Sequence, residues 1–372
     1  MIRRMYPIIT LCLIMTIPAI AGAIQSSIGG EMWSRWTLQT GTSAADSSTV
    51  IKQNSMALER GYLDFRTKFN PYTDARFAID LFSTDSQKDG AGLKLKYGFV
   101  DFKNILPISH ANLTVGLQKV YFGSIYDWDY SLIGKAPVDE HKLASSADYG
   151  VSINGKLSSG KGEYALAIYN GEGYKNYGAN LKENTRFEYL ANLRYKPISQ
   201  VTLGGSFMTN SIGRERDLTA DQPVNTYQEQ ILMDFLMRLD IAPVNITFEY
   251  LHKDAKYPNI ADGTADYTAS GISIIPIVSL KDITSKDIQL VGRYDRWDQT
   301  DDAANKHLLN LFTAGINYNF MHDEKSKPAM QAQLNISHKS YDPDKSLATY
   351  QNNLKDSTTV MAQLKWRFSH KI

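Results

Sequence analysis

The sequence predicts an all-β fold: a transmembrane antiparallel β-barrel of about 16 strands, with short periplasmic turns and long extracellular loops. Three observations predict it. About sixteen segments alternate apolar and polar side chains with the two-residue period of a strand, and no helical period separates them. Many of these segments are about ten residues long, which is the length that a tilted strand needs to cross a bilayer. Short connections between segments alternate with long polar ones.

The last segment, residues 359–368, shows the alternation most clearly. Leu364 and Trp366 fall on one face, and Lys365 and Arg367 fall on the other. Taken alone, this pattern also fits an amphipathic strand of a soluble β-sandwich. Sandwich strands average about 5–6 residues, however, so the repeated longer segments favour the membrane barrel.

The other candidate strands follow in series along the chain. Alternation is weakest in residues 228–241 and 269–278. In residues 93–102, alternation places Leu95, Tyr97 and Phe99 on the apolar face, which we expect to contact lipid. The remaining segments are residues 31–39, 58–69, 75–82, 112–122, 147–157, 163–170, 186–196, 201–208, 244–251, 287–297, 309–320 and 329–338.

Proline and loop length indicate which connections share one end of the barrel. Proline cannot donate to a strand ladder and is typical of turns. Five prolines are assigned to the short connections: Pro71, Pro107, Pro197, Pro243 and Pro328. Longer polar connections are predicted at the other end, at residues 41–55, 123–146, 171–185, 210–227, 252–268 and 339–356.

Residues 1–23 have the organisation of a secretory signal peptide. Arg3 and Arg4 precede an apolar stretch, and Ala21-Gly22-Ala23 suits cleavage. The only cysteine, Cys12, lies within this segment, so disulfides and cysteine-based sites are excluded from residues 24–372. Those residues are predicted to form one barrel domain.

The charge balance does not point to a nucleic-acid binder. Without the two arginines of the predicted signal peptide, the 40 basic side chains become 38, against 39 acidic ones, so the net charge is −1. The histidines lack metal-ligand spacing, and no Gly-x-Ser-x-Gly sequence is present. We therefore expect no catalysis, no cofactor and no metal.

The connection at residues 123–146 is the candidate constriction loop. Its aromatic side chains can pack against the inner wall while its charges face a narrowed channel; the alternative is an ordinary exposed loop. The residues assigned to the constriction are Tyr126, Asp127, Trp128, Asp129 and Lys135.

Basic side chains predominate on the faces expected to line the lumen. On strands two to four, six basic residues oppose only Asp64 and Asp80, which predicts a mild preference for anions. The alternative is the mixed polar wall of any water-filled barrel, with little selectivity. The pore-lining residues assigned in this way are Arg60, Arg66, Lys68, Arg76, Lys94, Lys96, Arg194 and Arg293.

Four stretches resemble the phosphate-selective porin O and P family of Gram-negative outer membranes. They are KVYFG at residues 119–123, with Tyr121 where the family usually has proline, YNG at 169–171, RYKP at 194–197 and RYD at 293–295. The resemblance implies a sixteen-stranded, usually trimeric porin whose third external loop folds into the pore. The arginine ladder of the family's namesakes is not matched, so phosphate selectivity is not implied.

These observations together predict passive diffusion of small hydrophilic solutes or anions through the outer membrane of a Gram-negative-type bacterium. The predicted partners are outer-membrane lipid and the other subunits of a homotrimer. Two other functions fit a barrel: a structural or adhesive protein whose loops bind a partner, and a membrane enzyme such as a phospholipase. An enzyme would require a Ser-His pair on the outer face, and none stands out in the sequence.

Overall fold

The computed structural model of the chain describes residues 24–42, 48–84, 90–175, 187–214, 226–257, 266–301, 308–323, 328–342 and 356–372. Within these residues the chain forms sixteen strands and two four-residue helices. The predicted signal peptide, residues 1–23, lies outside the described residues. None of the described helices is long and apolar enough to cross a membrane.

The first eight strands include the three shortest of the barrel, β5 to β7. Their bounds are β1 Gln25–Thr42, β2 Thr49–Asn70, β3 Thr73–Ser83, β4 Ala91–Lys103, β5 Ala111–Lys119, β6 Ala147–Lys156, β7 Gly162–Tyr169 and β8 Glu188–Ile198. Helix α1, Pro137–Glu140, lies between β5 and β6.

The second half of the chain continues the same series. Its strands are β9 Val201–Arg214, β10 Thr226–Ile241, β11 Val244–Lys256, β12 Tyr267–Ser279, β13 Ile288–Asp298, β14 Leu308–His322, β15 Pro328–Tyr341 and β16 Ser357–Lys371. Helix α2, Lys281–Thr284, connects β12 to β13.

The sheet closes on itself. Each strand pairs antiparallel with the next one in the sequence, and β16 pairs with β1, for example with Met32 opposite Trp366. Closure leaves no edge strand with unpaired backbone groups, which a barrel in lipid requires. The predicted fold class, a closed antiparallel barrel of about 16 strands, is confirmed, and both weakly alternating segments are strands.

The barrel has an apolar outside and a polar inside, the reverse of a soluble protein. Outward side chains such as Leu166, Phe207 and Ile336 are exposed, whereas the inward Glu249 and Asn317 are buried. Because one face of each strand contacts the lumen and the other the surroundings, this arrangement produces the alternation read from the sequence.

Three local predictions are wrong. The connection predicted at residues 41–55 is mostly strand, since β2 begins at Thr49. Residues 49–56 are all exposed, so no buried face imposes an alternation that could mark them. Strand β5 ends at Lys119 and not at 122, because Val120 and Phe122 turn inward and are buried there. Two prolines predicted in turns belong to strands: Pro197 lies inside β8, and Pro328 begins β15. The register between β8 and β9 shifts between Tyr195 and Ile198, because Pro197 has no N–H to donate to the neighbouring strand.

The orientation predicted for Tyr97 and Phe99 is also wrong. Leu95 opposes Ile79, but Tyr97 opposes Ala78, so Lys96 occupies a β-bulge. One extra residue reverses the faces of the residues that follow it. Tyr97 therefore lies inside the barrel, where the Arg76 guanidinium is 4.2 Å from its ring.

Candidate pore and constriction

The connection between β5 and β6, residues 120–146, folds into the lumen, and we call it the inserted loop. Its apolar side chains form a packed cluster with inward-facing residues of the wall. Phe122, Val138 and Leu143 of the loop are buried in this cluster together with wall residues such as Met208 and Leu251. The largest cluster of buried apolar side chains among the described residues thus lies between the inserted loop and the wall.

The first polar anchor of the inserted loop lies at Gly123 and Ser124. The Ser124 N–H and hydroxyl each donate to one oxygen of the fully buried Glu249 carboxylate, both at 2.7 Å. The Gly123 N–H donates to the Ser206 hydroxyl at 3.0 Å. Gly123 has φ +50°, and a Cβ on it would lie 2.4 Å from Glu249 Oε1. Only glycine fits this close approach without displacing the loop.

The second anchor is Asp127, which binds two arginines of the wall. Arg194 Nη1 donates to Asp127 Oδ2 at 2.6 Å, and Arg238 donates to both oxygens, at 2.5 and 3.0 Å. Burial raises the pKa of the Asp127 carboxyl, but the hydrogen bonds and charges of Arg238 and Arg194 outweigh it, so the pKa lies below its ordinary value. Beside it, the Tyr126 ring lies 4.2 Å from the Arg194 guanidinium, and its hydroxyl donates to Glu163 at 2.7 Å.

The middle of the inserted loop binds the opposite part of the wall. Tyr130 packs edge-on against Trp33 of β1, with ring centroids 4.4 Å apart. Lys365 Nζ of β16 donates to the Asp129 carbonyl at 3.2 Å. The Asp129 carboxylate itself accepts from the Ser131 N–H of the same loop, at 3.1 Å. Trp128 likewise bonds within the loop, through its indole N–H and the Gly134 carbonyl, at 3.1 Å.

The last anchor joins the end of the inserted loop to β13. Arg293 Nη1 donates to the Lys135 carbonyl at 2.5 Å, and the same guanidinium binds Asp295. His141 bonds Asp295 at 2.9 Å and stacks on Trp297 with ring centroids 4.8 Å apart. The Lys135 ammonium lies 3.8 Å from Asp139 of α1.

These anchors lie on β1 and on strands from β7 to β16, so the remaining arc of wall is β2–β6. A cavity of about 680 Å³ lies against that arc and is bounded on the other side by Tyr121 of the inserted loop. Its charged lining residues are Arg66, Lys68, Asp74, Arg76, Asp101, Lys119 and Lys371. A second cavity, of about 500 Å³, lies under Asp127 and Asp129.

The basic residues predicted on β2–β4 all face inward, but several are paired. Arg60 binds Asp80 at 3.1 Å, whereas Arg66 and Arg76 share Asp64, at 2.8 and 2.9 Å. Among the described residues, Lys68, Lys94 and Lys96 have no ion-pair partner. These strands also carry Asp74, which is paired with Lys103, and Asp101 on the inner wall. Basic side chains still outnumber carboxylates there, but by less than the predicted six to two.

Arg194 and Arg293 also face inward, but the inserted loop covers both of them. Each is almost completely buried and donates to a backbone carbonyl of the loop, Gly123 and Lys135 respectively. They bind the loop and are not on an open water-filled surface. Alternation could identify their orientation, but not the segment that covers them.

Sequence reasoning missed a second segment that enters the barrel, Gly171–Lys175 after β7. The ring of Tyr174 covers the Lys96 ammonium, with 3.9 Å between Nζ and the ring centroid. The one sequence feature that could have indicated a turn here is the pair of glycines, Gly171 and Gly173. In the structure both have positive φ. Within the part of the chain that is described, no group of three or more His, Cys, Asp or Glu side chains is arranged to hold a metal ion.

Comparison with known proteins identifies relatives in structure alone. No protein-family model matches the chain, and no curated protein matches it either. An anion-selective porin from Comamonas acidovorans is 10% identical with a TM-score of 0.62, over 93% of this chain and 100% of that one. OmpT of Vibrio cholerae, an outer-membrane protein, is 10% identical with a TM-score of 0.60, over 94% and 99%. The outer-membrane channel DcaP of Acinetobacter baumannii is 11% identical with a TM-score of 0.59, over 93% and 96%. The TM-scores show that these proteins share the barrel fold with this chain, and at identities this low they show the fold alone.

Proposed function

We propose that this protein is an outer-membrane porin that allows passive diffusion of small hydrophilic solutes or ions, with a preference for anions. The observation that carries the proposal is the inserted loop, which crosses the lumen and is bound to the wall at four places. A loop in this position narrows a water-filled barrel without closing the space along β2–β6. The anion-selective porin and the outer-membrane channel among the structural neighbours support the same function.

The preference for anions follows from the charges on the remaining arc. The cavity beside β2–β6 is lined by five basic side chains and two carboxylates, and Asp74 is paired with Lys103 of β4. Charged side chains on a pore wall raise the local concentration of the opposite ion. Because water screens each charge over about 10 Å at 0.1 M salt, the effect is larger at low ionic strength.

The proposed location is the outer membrane, after removal of residues 1–23, and the proposed assembly is a homotrimer. The apolar outer surface suits lipid. One of the structural neighbours, OmpT of Vibrio cholerae, was solved in a trimer form, with 11% identity and a TM-score of 0.60.

The experiment that tests the function is a planar-bilayer recording of the purified barrel, with reversal potentials measured in a salt gradient. We expect stable ion conductance and a reversal potential on the anion-selective side. Stable insertion without conductance would refute the porin and favour a structural or adhesive barrel whose loops bind a partner.

A triple variant tests the source of the anion preference. Replacing Arg66, Arg76 and Lys94 with Gln removes three inward charges and should shift the reversal potential toward cations, more at 0.1 M than at 1 M salt. The control replaces Lys281 and Lys286 with Gln. Both are exposed residues at the turn between β12 and β13, so the reversal potential should stay unchanged. A triple variant with the parental potential at low salt would remove the basic arc as the source of selectivity.

A further inference from the structure

Segment Gly171–Lys175 is tied to the start of β6. The Asp148 carboxylate accepts from the Gly171 N–H at 2.8 Å and from the Gly173 N–H at 3.0 Å. The Tyr174 N–H donates to the Ala147 carbonyl at 2.9 Å. Positive φ at both glycines, +88° and +74°, lets the backbone turn these N–H groups toward one carboxylate. These bonds hold the backbone of Tyr174 next to β6 and leave its side chain as the part that can move.

That side chain lies over Lys96. Its ring is 2% exposed and packs with Leu117 and Ala147. Lys96 itself is 5% exposed, lies beneath the ring face, and donates to the hydroxyl of Ser146 at the end of the inserted loop. The tyrosine, the lysine and the base of the inserted loop thus form one packed unit on the arc that the loop anchors leave open.

The charge of Lys96 is only partly compensated. Among the described residues, no carboxylate lies within ion-pair distance of it, and the nearby Asp80 binds Arg60 at 3.1 Å. A ring face stabilises a desolvated ammonium by less than the free energy that burial of the ion costs. An anionic group that replaced the ring would compensate the ammonium better than the ring does.

We propose that Tyr174 is a gate residue of the channel: it covers Lys96 at rest and moves aside so that an anionic group of a passing solute contacts the ammonium. This inference rests on the proposed function as a diffusion channel. It places a second constriction element, contributed by segment Gly171–Lys175, on the arc of the wall that the anchors of the inserted loop leave open.

Channel recordings of two tyrosine variants test the gate. Tyr174→Ala should raise the single-channel conductance by about twofold and shift the reversal potential toward anions, because the Lys96 charge becomes accessible. Tyr174→Phe keeps the ring face and should behave like the parent. The control, Tyr189→Ala, removes an outward ring that is 53% exposed and should also behave like the parent. Parental conductance and potential in Tyr174→Ala would overturn the gate while leaving the proposed porin intact.

Chemical labelling tests the gate without relying on conductance. The folded barrel in lipid vesicles is treated with a sulfonated, amine-reactive ester, and modification of Lys96 is measured by peptide mass spectrometry relative to Lys94, the half-buried lysine before it on the same strand. Tyr174→Ala should increase the relative rate at Lys96 by about tenfold, and Tyr174→Phe should not. Equal relative rates in parent and Tyr174→Ala would overturn the gate. Faster labelling in a barrel that conducts no ions would instead support the gate's geometry and refute the porin.

Discussion

Replacing Asp127 by Asn tests whether the inserted loop is held in the lumen by its contacts with two arginines. The substitution keeps the size of the side chain but removes the charge that binds Arg194 and Arg238. Hydrogen bonds to charged groups contribute about 1.5–3 kcal/mol each, and breaking a buried ion pair costs about 3–5 kcal/mol. The Asp127 and Arg238 side chains are 30% and 23% exposed, so we expect the lower value of about 2–3 kcal/mol after solvent screening.

That loss acts on the equilibrium between the loop seated in the lumen and the loop displaced from it. Since about 1.4 kcal/mol is tenfold, the displaced population should rise by about 30- to 150-fold. Single-channel recordings should show more frequent transitions to a higher conductance level. The reversal potential should shift toward anions, because two guanidinium groups lose their counter-charge.

Asp129→Asn is the matched control. It removes the same charge from the same cavity, but the Asp129 carboxylate accepts only from Ser131 of its own loop among its described hydrogen bonds. We expect the potential to shift in this variant without the added transitions. If both variants showed the same transitions, the ion pairs of Asp127 with Arg194 and Arg238 would not be what holds the loop in the lumen.

Three further predictions follow from the same anchors. Deleting residues 126–142 should increase single-channel conductance, and unchanged conductance in a correctly assembled barrel would contradict a constricting loop. Gly123→Ala should raise conductance by displacing the loop from Glu249, whereas Gly134→Ala, whose Cβ would have its nearest neighbour at 3.9 Å, should not. Because the pKa of Asp127 lies below its ordinary value, its bridge is fully stabilising above the ordinary aspartate pKa of about 3.9 and is lost as the pH falls through the lower pKa of the folded state. The transitions described for Asp127→Asn should therefore appear in the parent only below about pH 4, and a parent that shows them at pH 5–6 would contradict this sign.

The alternation of apolar and polar residues was sufficient to predict most of the fold. It located all sixteen strands, including the weakly alternating β10 and β12, because lipid on one side and the lumen on the other impose a two-residue period on each strand. The same period placed Arg60, Arg66, Arg76 and Lys94 on the inner face. It failed where the physical cause is missing, as in residues 49–56, which are exposed throughout.

The two-residue period could not predict local irregularities such as bulges and inward turns. The bulge at Lys96 reversed the faces of Tyr97 and Phe99, and a bulge depends on pairing between strands that alternation within one strand does not record. The inward turn at Val120 likewise depends on what the side chains meet across the barrel. The residues around Phe122 give no sign of whether it ends a strand or, as the structure shows, packs in a buried cluster.

The sequence by itself determined the strands, most of their inner faces and which connection was the candidate to enter the lumen. Only the tertiary structure decided how the lumen is divided. It placed Arg194 and Arg293 under the inserted loop, left β2–β6 as the basic arc, and brought Tyr174 onto Lys96 from a connection 78 positions further along the chain. These contacts join residues far apart in sequence, and they form because closing the barrel brings distant strands around one lumen, where each buried charge requires a partner.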